Sequence, residues 1–183
     1  MPILPIVTYN DPVLRQKTTP VEALTPEIQS FINDMFETMY NSDGVGLAAP
    51  QVGSLHRIFV MDADPMADED EETFGPLLFI NPEIIEKKGD KITMDEGCLS
   101  IPEVTDKVTR PEKVVVNYRD DKFEEQTKEF DGWVARVIQH EYDHLEGVLF
   151  IDYLSAFRRR MHKSDLKEID KGLRETSYPV KPK

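Results

Sequence analysis

The segment His140-Glu141-Tyr142-Asp143-His144 holds two imidazoles and a carboxylate at a spacing suited to metal-assisted hydrolysis. On a helix, residues four apart project from one face, so both rings can bind one ion. Glu141 stands beside that face and can reach a water molecule without being a ligand. The same spacing also occurs on helices that bind nothing, so the third ligand decides. A catalytic ion takes about three protein ligands and keeps one position open, whereas structural zinc usually takes four. A histidine three residues after Gly147 would complete one such set, but that position is Phe150. Glu168 and Glu175 are carboxylate alternatives, in a polar, basic stretch that reads as solvent-facing. Cys98 is the better candidate. Taken alone it reads as a small buried residue, but it is the single cysteine and follows Glu96-Gly97, where glycine permits close backbone approach. His56 and His162 remain over and read as structural or exposed.

These groups need a helix, a strand end and a framework. A helix is expected from Asp131, as N-cap, to about Leu145, with Gly147 just past its end. Another starts at Thr25-Pro26-Glu27, where Ile28, Phe31, Ile32, Met35, Phe36 and Met39 form one apolar stripe before Asp43-Gly44. A third is expected over Ser155 to about Leu173. Gly44 to Gly53 reads as a shaped loop or irregular strand. His56–Asp62, Leu77–Ile85, Lys91–Met94, Lys113–Arg119 and Phe123–Phe130 read as strands, and Ala63–Pro76 as a solvated acidic loop. Strands mostly precede the His-bearing helix without alternating crossovers. The expected class is therefore α+β, with antiparallel sheets packed around a central helix that carries the H-E-x-x-H motif.

A length of 183 residues points to one catalytic domain over 1–183, with a basic helix at 155–175 and a flexible tail at 176–183. The longest apolar runs, such as Leu77-Leu78-Phe79-Ile80, are too short to cross a bilayer. Met1-Pro2-Ile3-Leu4-Pro5 lacks the basic start of a secretory signal, and one cysteine forms no internal disulfide, so a cytoplasmic location is expected. The net charge of -13 opposes DNA binding. That charge is uneven. Residues 158–183 hold nine Lys/Arg against four Asp/Glu, a local +5 that leaves -18 on the rest.

Three blocks together carry a resemblance. Gly44-Val45-Gly46-Leu47-Ala48-Ala49-Pro50-Gln51, Glu96-Gly97-Cys98-Leu99-Ser100 and Gln139-His140-Glu141-Tyr142-Asp143-His144 resemble, in order and spacing, the signature motifs of peptide deformylases. The likeness runs from about Pro5 to Tyr153. The first block alone would pass for a dinucleotide loop, but it follows a helix and Pro50 prevents it from opening one. The resemblance implies the substrate, the N-formyl group on the starting methionine of nascent polypeptides. It implies Cys98, His140 and His144 as metal ligands and Fe²⁺ as the native ion, with Zn²⁺, Ni²⁺ or Co²⁺ able to replace it. It gives Glu141 the proton transfers, and the Gln51 amide and Leu99 N–H the stabilisation of charge on the formyl oxygen.

By the same likeness Val45 and Gly46 would pair with an extended peptide, with Gly97 also at the substrate. Trp133 and Val137 would line the methionine slot. Arg136 departs from the apolar residues usual there and reads equally as solvated. Glu96 and Arg110 match positions near the site, where a carboxylate–guanidinium pair would fix the Cys98 loop. Asp143 would orient a ligand or simply solvate the helix. Asp68–Glu72 resembles an insertion remote from the chemistry. The basic C-terminal helix suggests weak docking to ribosomal RNA.

Overall fold

In the computed structural model, which describes residues 2–183, two long strands form the spine. They are β3 (Leu77–Cys98) and β4 (Ile101–Arg119), joined by a tight turn after Cys98. Along β4, buried Val104, Asp106, Val108 and Arg110 alternate with exposed Glu103, Thr105, Lys107 and Thr109, the period of a strand with one covered face. Two of those inward residues are charged, and both serve networks described below. β1 (Gly46–Ala48), β2 (Ile58–Met61) and β5 (Glu125–Phe130) complete one antiparallel sheet in the order β1-β2-β3-β4-β5.

Ile58-Phe59-Val60-Met61 is apolar at every position because both faces of β2 are covered. Ile58 and Val60 pack with Ile32, Met35 and Met39 of α1 (Pro26–Asn41). Phe59 and Met61 pack with Val134, Ala135, Val137 and Ile138 of α2 (Gly132–Leu145). Thr25 caps α1 by accepting the Ile28 N–H at 3.2 Å, with Pro26 next to it. The α2 helix is covered nearly all round. Its buried polar residues, Arg136, Gln139, Glu141, Asp143 and His144, must therefore find partners inside the protein.

The α+β class and the central motif-bearing helix are as expected, and the strands form one sheet. The separately expected strands at Leu77–Ile85 and Lys91–Met94 are parts of β3. In the polar run Glu86-Lys87-Lys88-Gly89-Asp90 the first three residues pair with β4 and Gly89-Asp90 fall in a register shift before pairing resumes at Lys91, so the chain does not turn back. The expected helix over Ser155–Leu173 is two helices, α3 (Ala156–Met161) and α4 (Lys163–Asp170). The break falls at His162, whose Nε2 lies 2.8 Å from Asp106, which also takes Arg158 at 2.6 Å. A buried carboxylate on β4 thus bends the basic segment around itself.

The tail expected to be flexible is docked. Ile6 donates to the Pro179 carbonyl at 2.9 Å and Lys181 donates to the Ile6 carbonyl at 2.8 Å. Tyr178 and Val180 join the α1 core, which supplies the apolar contact that a polar reading of this stretch overlooks. Among the described residues no helix is long and apolar enough to cross a membrane.

Candidate metal centre and active-site pocket

Two elements deliver the three donors of the candidate centre. Cys98 ends β3 at its turn, and His140 and His144 lie one helical turn apart on α2. Their ligand atoms all fall within 4.8 Å of one another, with Cys98 Sγ 3.3 Å from His144 Nε2. A sulfur with two imidazoles is a donor set for a borderline or soft divalent ion. Phe150, where another ligand pattern would need histidine, instead stacks on the His140 ring with centroids 6.2 Å apart. Glu168 pairs with Arg174 at 3.5 Å and does not join the cluster, nor does Glu175.

Glu96 organises the surroundings. It accepts Arg110 Nε at 2.6 Å and Nη2 at 2.9 Å, and Arg136 Nη1 at 2.8 Å. Its other contact is His140 Nδ1 at 2.9 Å, which places the Nδ1 proton toward the carboxylate and leaves Nε2 free to ligate. Arg110 reaches on to Asp143 at 2.8 Å, and Tyr153 donates to the same carboxylate oxygen at 2.8 Å. Burial works against the Glu96 charge, but hydrogen bonds from Arg110 and His140 hold its carboxyl well below the usual range. Burial also pushes His144 well below 6.5, toward the neutral form that binds metals. His140 goes the other way. Burial opposes its charge, yet hydrogen bonds to Cys98 and Glu96 raise it well above 6.5.

Glu141 is 4% exposed, and its Oε2 has no hydrogen-bond partner among the described residues. Burial raises its pKa to about 7, despite the opposing charge of His140. A group so placed can both take and return a proton near neutrality. Gly46 makes the space for it, because a Cβ at that position would come within 2.6 Å of Glu141 Oε1. The glycine expected to admit a peptide backbone thus also accommodates the carboxylate. Gln51 is buried and fixed at both ends. Its Oε1 accepts the Ala48 N–H at 3.0 Å, and its Nε2 donates to Ser100 Oγ at 3.2 Å while facing Cys98 Sγ at 3.4 Å.

A cleft of about 380 Å³ opens over these groups. Val45, Gly46, Gln51, Gly97, Leu99, Trp133 and Val137 line it beside Cys98, His140 and Glu141, so the residues expected at the substrate do converge. Arg136 reaches the same cleft, and the alternative of a solvated side chain fails. It is buried against Glu96 and the carbonyls of Val108 and Ile92. Met66, at the root of the acidic loop, and Tyr178, from the tail, also line the cleft and were not singled out from sequence. Only an apolar residue in an acidic run, and an aromatic in a polar tail, could have flagged them. His56 packs edge-on to Phe31 and His162 belongs to the Asp106 network, both away from the centre.

The comparisons with known proteins agree with this geometry. The family model for polypeptide deformylase matches residues 3–160. A peptide deformylase of Salinibacter ruber is 52% identical over 183 residues, covering 97% of this chain and 94% of that protein. One from Chlorobaculum parvum is 46% identical over 180 residues, at 98% and 95% coverage. Among solved structures, Ehrlichia chaffeensis peptide deformylase in complex with actinonin superposes with a TM-score of 0.85 at 39% identity, covering 96% of this chain and 100% of that one. The enzyme from Thermotoga maritima gives 0.78 at 42% identity, with 85% and 99% coverage. With the three sequence blocks gathered around one cleft and likeness running nearly end to end, this chain belongs to the peptide deformylase family.

Proposed function

We propose that the chain hydrolyses the N-formyl group from the N-terminal formyl-methionine of nascent polypeptides, releasing formate, with Cys98, His140 and His144 holding Fe²⁺ as the native ion. The observation that carries this reading is the convergence of those three donors within 4.8 Å beside the buried Glu141 carboxylate, whose Oε2 has no partner among the described residues. When bound, the ion supplies Lewis acidity that makes water a nucleophile near neutral pH. Glu141 accepts the proton of the attacking water at its carboxylate and then returns it to the departing amine nitrogen. Charge growing on the formyl oxygen is met by the Gln51 Nε2–H and the Leu99 N–H, and one such donor is commonly worth about 3 to 4 kcal/mol. Gln51 serves well here because Ala48 and Ser100 already hold its amide, so little reorganisation is needed.

Substrate backbone would add to β1, an edge strand of the sheet, along Val45 and Gly46. The methionine side chain would enter between Val45, Trp133 and Val137. The test is formate release from formyl-Met-Ala-Ser by the wild type and by Glu141→Ala. The variant should lose roughly 10²- to 10⁴-fold while keeping its metal; full activity would remove Glu141 as the base.

We also propose a weak contact with ribosomal RNA through α3 and α4. Arg158, Arg174 and Lys181 are held in ion pairs, which leaves exposed Arg160, Lys163, Lys167 and Lys171 without an acidic partner among the described residues. Replacing those four by glutamate should abolish salt-sensitive co-sedimentation with ribosomes. Unchanged co-sedimentation would end the idea.

A further inference from the structure

Leu99 carries the N–H that the proposed mechanism aims at the formyl oxygen, and it sits in the turn directly after Cys98. That turn is held by groups from both ends of the chain. The Leu99 carbonyl accepts the Tyr178 hydroxyl at 2.7 Å. The Ser100 carbonyl accepts the Tyr9 N–H at 2.8 Å, and the Pro102 carbonyl accepts Arg174 Nη1 at 3.2 Å. The Leu99 side chain closes against Gly44, where a Cβ would meet its Cδ1 at 2.9 Å. Tyr178 is itself anchored, since the neighbouring Pro179 and Lys181 pair with Ile6, and Lys183 Nζ donates to the Thr8 carbonyl at 3.2 Å. Tyr178 lines the same cleft as Gln51, Cys98 and Glu141.

We infer that Tyr178 is a positioning residue for the reaction, and that residues 174–183 form a strap that aims the Leu99 N–H by fixing the turn behind it. The physical basis is that a donor assists only when held within about 0.5 Å of its productive place. The Leu99–Ser100 peptide plane, gripped through its carbonyl, shares the Leu99 Cα with the plane that bears the N–H. Holding one restrains the other. The hydroxyl bonds a main-chain carbonyl and none of the metal ligands, so its effect passes through the backbone of the turn.

This inference rests on the proposed role of Leu99, and Tyr178→Phe tests it because only the hydroxyl is removed. Losing one hydrogen bond to a carbonyl should lower kcat roughly three- to tenfold, with KM within about twofold. Amide hydrogen exchange over residues 97–103, measured without substrate, should quicken by a similar factor. A second variant ending at Glu175 should show at least the same fall in kcat, and the phenylalanine variant decides alone if that truncation does not fold. Full kcat, a raised KM at full kcat, or slowed turnover with unchanged exchange would each overturn the inference. Absence of formate release by the wild type would instead remove the proposed function, while the exchange measurement would still report whether the strap grips the turn.

Discussion

Replacing Glu96 by glutamine separates two jobs that this carboxylate performs at once. It accepts four hydrogen bonds from three side chains, between 2.6 and 2.9 Å. Around it, Glu96 and Asp143 balance Arg110 and Arg136, all four buried. Removing one partner of such a group leaves an uncompensated positive charge, an effect worth about 3 to 5 kcal/mol. Glutamine keeps one acceptor oxygen, so the lower end is expected, near 3 kcal/mol by urea unfolding of the metal-free protein. The second job concerns His140, whose ring loses a charged partner at Nδ1. Partners of this kind are typically worth 10- to 100-fold in metal affinity, about 1.4 to 2.7 kcal/mol. Competition with a chelator of known affinity measures that loss. A Glu96→Gln protein that is less stable yet binds metal within about twofold of wild type would show that Glu96 supports the fold without preparing the ligand.

Two further predictions follow from close contacts elsewhere. Gly46→Ala should preserve the fold and metal binding but cut kcat by about tenfold or more, because the new methyl displaces Glu141 Oε1 from 2.6 Å away; wild-type kcat in that variant would show that the carboxylate has room to move at no cost. Asp106 is held well below the usual carboxylate range chiefly by its hydrogen bond from Arg158, so the group contributes stability above about pH 4 that is lost as pH falls through its lowered folded value. Asp106→Asn should therefore be less stable than wild type near neutrality, with the gap narrowing toward about pH 3. A gap independent of pH, in urea midpoints, would refute it.

What the sequence disclosed and what it hid divide along physical lines. Periodicity and caps found α1, whose apolar stripe and Thr-Pro start are local signals, while α2 was bounded by Asp131 and Gly147, although the Asp131 side chain makes no capping bond. The length of β3 was hidden because Glu86 to Asp90 has the composition of a turn, and only pairing with β4 keeps it extended. The break at His162 was hidden because its cause, Asp106, lies 56 residues away. At the centre, ligand types and helical spacing were legible from His140, His144 and Cys98. For Arg136 a place at the methionine slot and a solvated side chain read equally; it does reach the cleft, but nothing local tells an arginine that it will meet Glu96 from another element. Tyr178 was hidden for the same reason, lying in a polar tail whose docking partner, Ile6, is at the other end of the chain.

The two margins of the sheet are treated oppositely. β5 closes one side with Glu125, Lys128 and Glu129, charges that discourage other chains from pairing there. β1 closes the opposite side with uncharged Gly46, Leu47 and Ala48. A margin of that kind is a template for self-association as well as for a guest strand, but all three residues are buried, which leaves it little open to other chains. Its brevity limits the hazard, since three residues give a stray chain few main-chain bonds, and Gln51 already occupies the Ala48 N–H. Lengthening this strand to grip peptides harder would therefore be expected to trade selectivity for aggregation.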